Sequence, residues 1–458
     1  MRNKLQIIFF FSVLTVIGIG SCRSRPADAG KITASSNQMS DDSLLTLVEY
    51  RTFQYFWEGA EPVSGMARER YHVDGIYPEN DFNIITTGGS GFGTMAILAG
   101  IERKFISRED GLKRFQKIVQ FLQKADRFHG AWPHWLNGET GKVKPFSAKD
   151  DGADIVETAY LIQGLLAVRQ YFKDGNEKER ELASNIDKLW KEVEWNWFTK
   201  GGEDVIYWHW SPDYGWEMNF PVKGYNECLI LYVIAASSPT YPVDPTAYHK
   251  GWARDGGIVS NREKYGIPLI LKHNYAEEYG GPLFWAHYSY LGLNPRGLSD
   301  NYANYWKLNV DQTLINFRWC TENPKKFRGY SDSCWGLTAS YSVKGYAAHA
   351  PGEENDQGVI SPTAAISSIP YTPENSLKAI RHFYNKLGDR IWGKYGFYDA
   401  FSQQYDWYPK RYLAIDQGPE VVMIENYRTE LLWKLFMSCP EVQEGLKKLG
   451  FKISDSAE

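Results

Sequence analysis

The 458-residue sequence predicts an all-α protein, an (α/α)6 barrel in which a double ring of about twelve helices carries long loops at its mouth. Three observations lead there. From residue 41 onward helical periodicity dominates, and alternating strand patterns are few and short. Amphipathic, charged segments take turns with segments apolar on nearly every face, and a helix apolar all round is buried all round. The connections are long and rich in Gly, Pro, Trp and Tyr, as in Phe128–Phe146, Gly201–Pro221, Tyr330–Pro362 and Gly393–Pro409. Loops of that length inside a compact domain are usually functional.

In chain order, the amphipathic Asp41–Glu58 precedes the apolar Gly91–Ile101. Arg108–Asp126 is amphipathic and opens on Ser107-Arg108-Glu109-Asp110, which resembles a capping box. The apolar Ala153–Val168 and the amphipathic Glu177–Phe198 follow, then the apolar Asn226–Ala236 and a weak amphipathic stretch at Ala247–Trp252. Leu283–Leu293 is apolar and Tyr302–Glu322 amphipathic. Pro362–Ile369 is apolar, and Pro373–Leu387 is amphipathic with proline at its first helical position. Gly418–Phe436 is the last apolar segment. No fixed period joins the pairs, which speaks against an α-solenoid.

Composition narrows the function. Hydrophobic residues make up 43% and charged residues 23%, the balance of a globular chain with a large core. The net charge of −4 supplies no basic stripe, so nucleic acid is not an expected partner. Mean hydropathy of −0.45 excludes a multi-span membrane protein. Aromatic residues reach 15%, with 17 Trp and 30 Tyr, more rings than a core needs; flat faces with a polar edge suit sugar rings.

Residues 1–21 read as a lipoprotein signal peptide, with Arg2 and Lys4 ahead of an apolar stretch too short to span a membrane. Ile19-Gly20-Ser21-Cys22 resembles a lipobox, making Cys22 the expected lipidation site and membrane anchor, with cell-envelope placement. Residues 22–40 then form a flexible tether, and 41–458 the catalytic domain. Of the remaining cysteines, Cys228 lies in an apolar run and reads as a small buried hydrophobe. The nine histidines show no tight ligand spacing, so neither metal nor cofactor is expected. No GxSxG elbow exists to support a serine esterase. The glycine run at Gly88–Gly93 lacks GxGxxG spacing and reads as a flexible lead-in to a helix.

Carboxylates lead three apolar segments: Asp154 and Glu157 on one face of a first turn, Glu227, and Asp416 before Gly418-Pro419. One such acid alone is an ordinary helix cap. Four placed alike on helices whose N-termini converge on one mouth point to paired-carboxylate work, as in glycoside hydrolysis. Glu227 heads an apolar run, so burial should keep its proton, whereas Asp416 should stay ionised and activate water. Trp132, Trp135, Trp208, Trp210, Trp216, Trp285, Trp335, Trp392 and Trp407 fall in or beside the loops. They are candidates for a sugar platform, although about half should pack under the loops instead. Trp132, Trp208, Trp285 and Trp335, with Tyr225 and Gln417 beside the acids, are the expected substrate contacts.

Thr86-Thr-Gly-Gly-Ser-Gly-Phe-Gly93, Asp154-Ile-Val-Glu157, Gly224-Tyr-Asn-Glu227 and Ile415-Asp-Gln-Gly-Pro419 together resemble the bacterial "putative glucoamylase" (glycoamylase-like) family, over residues 41–440. Its characterised members are β-1,2-glucanases with an (α/α)6 barrel that invert configuration. The resemblance implies a β-1,2-glucan substrate, Glu227 as general acid, Asp416 as general base, and Asp154 and Glu157 as further cleft acids. Proton relay through water or a substrate hydroxyl leaves open which acid does what. The expected protein is a monomeric, lipid-anchored glycoside hydrolase. An exo-acting, sophorose-releasing enzyme, a polysaccharide lyase and a non-catalytic glycan-binding lipoprotein are its rivals, the lyase disfavoured by a mature charge of −6 once two cations leave with the signal.

Overall fold

The apolar segments form the interior of the computed structural model, which describes residues 39–454. The expected signal peptide, Cys22 and nearly all of the tether lie outside the described residues. Among the described residues no helix is long and apolar enough to cross a membrane.

The helices are α1 (Asp41–Trp57), α2 (Thr87–Glu102), α3 (Arg108–Leu122), α4 (Ile155–Phe172), α5 (Glu177–Lys191), α6 (Leu229–Ser237), α7 (Tyr305–Glu322), α8 (Pro362–Ile366), α9 (Pro373–Ile391), α10 (Ala414–Thr429), α11 (Leu431–Met437) and α12 (Pro440–Lys448). Local chemistry explains their ends. The Ser107 hydroxyl accepts the Asp110 N–H (3.0 Å) to start α3, and Asn304 accepts from Lys307 (2.9 Å) to start α7. Asn176 and Glu179 close a reciprocal capping box on α5. Pro373 takes the first position of α9.

The buried layer runs from neighbour to neighbour: α8 packs on α10, α10 on α2, α2 on α4, α4 on α6, and α6 on a 3-10 turn at Tyr288–Tyr290. That turn is tied back to the chain after α8, where the His287 ring meets Ser368 Oγ (3.0 Å) and the Tyr371 hydroxyl donates to the Ala286 carbonyl (2.8 Å). The amphipathic helices back this layer, α1 on α10 and α2, α5 on α4, and α9 on α8. Among the described residues strands occur only as small antiparallel pairings in the loops, the longest joining Val259–Lys264 to Ile267–Leu271.

Three expected segments differ in detail. Leu283–Leu293 is not one helix but two 3-10 turns, Leu283–Ala286 and Tyr288–Tyr290. Its run of Phe284, Trp285, His287, Tyr288 and Tyr290 crowds a helical turn with rings that lose side-chain freedom there. The last apolar helix starts at Ala414, ahead of Gly418-Pro419, and Glu430 in the left-handed region (φ 61°) divides it from α11. The glycine run is helical from Thr87 rather than a flexible lead-in, and glycine serves close packing. A Cβ on Gly91 would lie 2.3 Å from the Tyr160 carbonyl oxygen of α4, and one on Gly164 would lie 2.2 Å from the Gly91 carbonyl oxygen. Cys228, Cys320, Cys334 and Cys439 are all buried free thiols.

Candidate active site

Two adjoining cavities, of about 620 and 310 Å³, share His134, Phe146, Trp208, Glu227 and Phe284 in their walls. The wider one adds Asp150, His209, Trp285 and the exposed Tyr275; the smaller adds Glu69, Trp135, Glu157, Tyr160 and Tyr346. Three of the long loops supply six of these fourteen groups. Phe128–Phe146 brings His134 and Trp135, Gly201–Pro221 brings Trp208 and His209, and Tyr330–Pro362 brings an antiparallel hairpin, Ala339–Ser342 with Gly345–Ala348, that carries Tyr346.

Glu227 stands in the turn two residues ahead of α6. Its carbonyl accepts from Ser289 Oγ and from the Tyr160 hydroxyl (3.3 Å), which pins the turn to both neighbouring inner segments. Its side chain stands in the wall of both cavities, where burial raises the carboxyl to about 7.

Asp154 caps α4. Its Oδ1 accepts the N–H groups of Val156 (3.0 Å) and Glu157 (2.9 Å), and its Oδ2 accepts from His134 Nδ1 (3.0 Å) and Trp208 Nε1 (3.1 Å). Burial opposes the charge, but the hydrogen bond from His134, the nearby His209 and the helix N–H groups hold the carboxyl below its ordinary range. Asp154 is fully buried and lines neither cavity; it fixes His134 and Trp208, which do. Glu157, three residues on, does face the smaller cavity. Its Oε2 accepts the Gly88 N–H (2.7 Å), and burial lifts it to about 7, with Asp154 adding to the rise and His134 opposing it. Although burial works against the charge on His134, Glu157 and Asp154 raise the imidazole to about 10. Asp150 rises to about 7 through burial and the neighbouring Asp154, and burial drops His209 to about 4.

His134, Asp150 and Asp154 each bring one ligand atom within 4.8 Å of the others, the one grouping among the described residues with the composition of a cation site. Asp154 already accepts four hydrogen bonds, while Asp150 Oδ2 lies 3.4 Å from His209 Nε2 and Asp150 Oδ1 is buried without a hydrogen-bond partner. The cluster is a proton network around an ionised Asp154.

Asp416 lies within the first turn of α10 and is 1% exposed; its neighbour Ile415 lines the smaller cavity and Asp416 does not. Burial works against the expectation that Asp416 stays ionised: burial and then the adjoining Asp399 raise its carboxyl well above the ordinary value.

The expected contacts divide. Trp208 and Trp285 line the cavity. Trp132 and Trp335 are fully buried core instead, their Nε1 atoms donating to the Leu122 and Asn375 carbonyls, because each lies beneath its loop rather than on it. Tyr225 is also fully buried and donates to the Trp285 carbonyl (3.3 Å), so it supports a wall residue. Gln417 is 1% exposed and donates to the Tyr395 carbonyl (3.1 Å), a packing role. Glu69, Asp150, Asp399, His134 and Tyr346 were not singled out by the sequence. His134 and Tyr346 sit in loops already marked by length and aromatic content. Glu69 and Asp399 head no apolar helix, and only tertiary pairing brings them in, as where the Glu69 carbonyl accepts the Ala414 N–H (3.0 Å).

Comparison with known proteins agrees with this geometry. A family model described as "Glycoamylase: Putative glucoamylase" matches residues 219–440. The exo β-1,2-glucooligosaccharide sophorohydrolase (non-reducing end) of Parabacteroides distasonis is 46% identical over 440 residues, covering 92% of this chain and 60% of that protein. The chain thus spans about three fifths of the length of that curated relative. The structure of an endo-β-1,2-glucanase from Chitinophaga pinensis, in complex with sophorotriose and glucose, is 67% identical with a TM-score of 0.90, covering 91% of this chain and 99% of that one. A structure described as a putative glucoamylase from Bacteroides fragilis is 62% identical with a TM-score of 0.90, covering 92% and 100%. With identity of that order over the whole helical unit, and with the acid-bearing turns at Glu157, Glu227 and Asp416 gathered about one aromatic cleft, the chain belongs to the glycoamylase-like family.

Proposed function

We propose that this chain is an inverting glycoside hydrolase that cleaves β-1,2-glucan within the chain, on a closed (α/α)6 double ring. One observation carries the reading: Glu227, a carboxyl raised to about 7, stands in the shared wall of two aromatic-lined cavities whose remaining walls bring Glu157, Asp150 and Glu69. The neighbour-to-neighbour packing of the inner helices, returned through His287 and Tyr371, supports the ring.

In this reading the faces of Trp208, Trp285 and Phe146 receive glucosyl rings. Glu227, its carboxyl raised to about 7 by burial, keeps a proton available near neutral pH and delivers it to the leaving glycosidic oxygen. Asp416 receives the proton of the attacking water, relayed through a bound water or a substrate hydroxyl because Asp416 itself is walled off from the cavity. Glu157 and the charged His134 orient hydroxyl groups beside the scissile bond. Endo action is favoured over the exo alternative because the endo-acting relative is the more similar, 67% against 46%, and is matched over its full length. Cys22 acylation would then hold the enzyme at the cell envelope, where polymeric glucan is met.

Incubation with linear β-1,2-glucan, followed by product-length analysis over time, tests the reading. Early products of mixed length support endo cleavage. Sophorose alone from the first minutes supports the exo alternative, and no product from any β-1,2-glucan or its oligosaccharides refutes both.

A further inference from the structure

Asp399 lies in the Gly393–Pro409 loop and is 2% exposed. Its Oδ2 accepts the backbone N–H of Tyr341 at 2.8 Å, and its own N–H donates to the Arg411 carbonyl (2.9 Å), so the side chain is held from two segments. The Asp416 side chain adjoins it. Asp399 Oδ1 and Asp416 Oδ2 are both buried and have no hydrogen-bond partner. Two adjoining buried carboxyls do not both ionise.

We infer that Asp399 is a positioning residue for Asp416, fixing the orientation of that carboxyl and setting its proton affinity, and that the Tyr341 N–H of the cavity hairpin holds Asp399 in place for this task. The inference rests on the reading of Asp416 as the base. Tyr341 stands directly across the hairpin from Tyr346, so the strand that lines the cavity is registered to the strand that grips Asp399. The groups facing the pair are Glu69 from the strand-like segment ahead of α2, Glu420 one turn further along α10, Tyr288 from the 3-10 turn, and Tyr341 and Tyr346 from the hairpin. The nearby cations Arg70 and Arg411 stand against Tyr341. Two acids and two cations stand around the pair, so burial and the proximity of the two carboxyls are what raise it; burial lifts Asp399 itself to about 6. A base so placed is a strong one once ionised.

The test is the pH profile of kcat on β-1,2-glucan. Asp399→Asn keeps the shape, still accepts the Tyr341 N–H, and presents an amide donor to Asp416 in place of a charge. The acidic limb of the profile should move down by about one pH unit or more, and the plateau should fall about tenfold as the base weakens, with KM little changed. A merely structural Asp399 would lower kcat and Tm together without moving the limb, and that result overturns the inference. Asp416→Asn separates the two readings. Turnover surviving in it overturns both, whereas an inactive Asp416→Asn beside an unmoved limb in Asp399→Asn overturns this inference alone. Should Asp399→Asn not fold, neutron diffraction from wild-type crystals at neutral pH decides: a deuterium between Asp399 and Asp416 supports the pair, and two bare carboxylates overturn it.

Discussion

Glu227→Gln separates catalysis from stability, because the same burial that prepares Glu227 as an acid makes its ionised form costly. The carboxyl rises from an ordinary 4.5 to about 7 in the folded chain. Each unit is worth about 1.36 kcal/mol, so ionised Glu227 costs up to about 3 kcal/mol, a ceiling that partial exposure lowers. The sign follows from a raised folded-state value. The contribution to stability is fully present below pH 4.5 and is lost as pH rises through about 7. Glutamine has the same shape and nothing to ionise. Glu227→Gln should therefore match the wild type at pH 4.5 and gain on it up to pH 8, by roughly 3 °C in Tm for a chain of 458 residues. Hydrolysis of β-1,2-glucan by the same variant should fall by roughly 10²–10⁴-fold, and wild-type kcat should decline on the alkaline side through about pH 7. Differential scanning calorimetry across pH and an assay of reducing ends read the two effects. A variant that keeps near-normal hydrolysis, or a Tm difference flat from pH 4.5 to 8, would refute the reasoning.

Trp208→Ala should raise KM for glucan several-fold with little loss of Tm, while Trp132→Ala, deep in the core, should cost about 3–5 kcal/mol of stability; equal effects on KM would contradict the division between wall and core. Arg428→Met leaves the fully buried Glu49 without its 2.8 Å partner and with only Arg103, at 3.7 Å, nearby. A loss of about 3 kcal/mol is expected by denaturant unfolding, larger at alkaline than at acid pH, because burial and then Glu425 favour the protonated form of Glu49, which needs no partner. Cys22→Ser should move the protein from the membrane fraction to the soluble fraction with activity unchanged, and continued membrane association would count against acylation.

The alternation of apolar and amphipathic segments was enough to place the inner and outer helices, because burial on every face leaves its mark in composition whatever the neighbours are. The 3-10 turns of Leu283–Tyr290 escaped that reasoning. Apolar composition reports burial, whereas helix type there is set by tertiary bonds such as His287 to Ser368. Among site residues, Glu227 and Glu157 were legible as acids leading apolar segments, and both stand in the cavity wall. Trp132 and Trp335 misled because a loop tryptophan looks the same in sequence whether it caps the core or faces the cleft. Asp399 was invisible for a different reason. Its significance lies in adjoining a carboxyl 17 positions further along the chain and in a hairpin N–H that no local pattern announces.

The placement of these acids relative to helix ends accounts for their different proton states. Asp154 sits where two free N–H groups of α4 point at one oxygen while His134 and Trp208 donate to the other, so four donors offset its burial and it remains charged. Glu227 stands ahead of α6, but Asn226 takes the Cys228 N–H (3.0 Å) and the main-chain carbonyl of Glu227 takes the nearby hydroxyls. At the Glu227 carboxyl only the residue's own backbone N–H opposes burial, and the carboxyl rises. Asp416 is inside a helical first turn, yet burial and then the adjoining carboxyl of Asp399 outweigh the helix end. Glu157 lies between these extremes, with the Gly88 N–H and His134 opposing its burial. Proximity to a helix N-terminus is therefore insufficient to identify an ionised acid in this cleft. What decides is whether the end's N–H groups reach the carboxyl oxygens, as they do for Asp154, or are taken by other atoms, as at Glu227. The acid with saturated oxygens is fitted to orient its neighbours, and the acid with a single backbone donor against its burial is fitted to give up a proton.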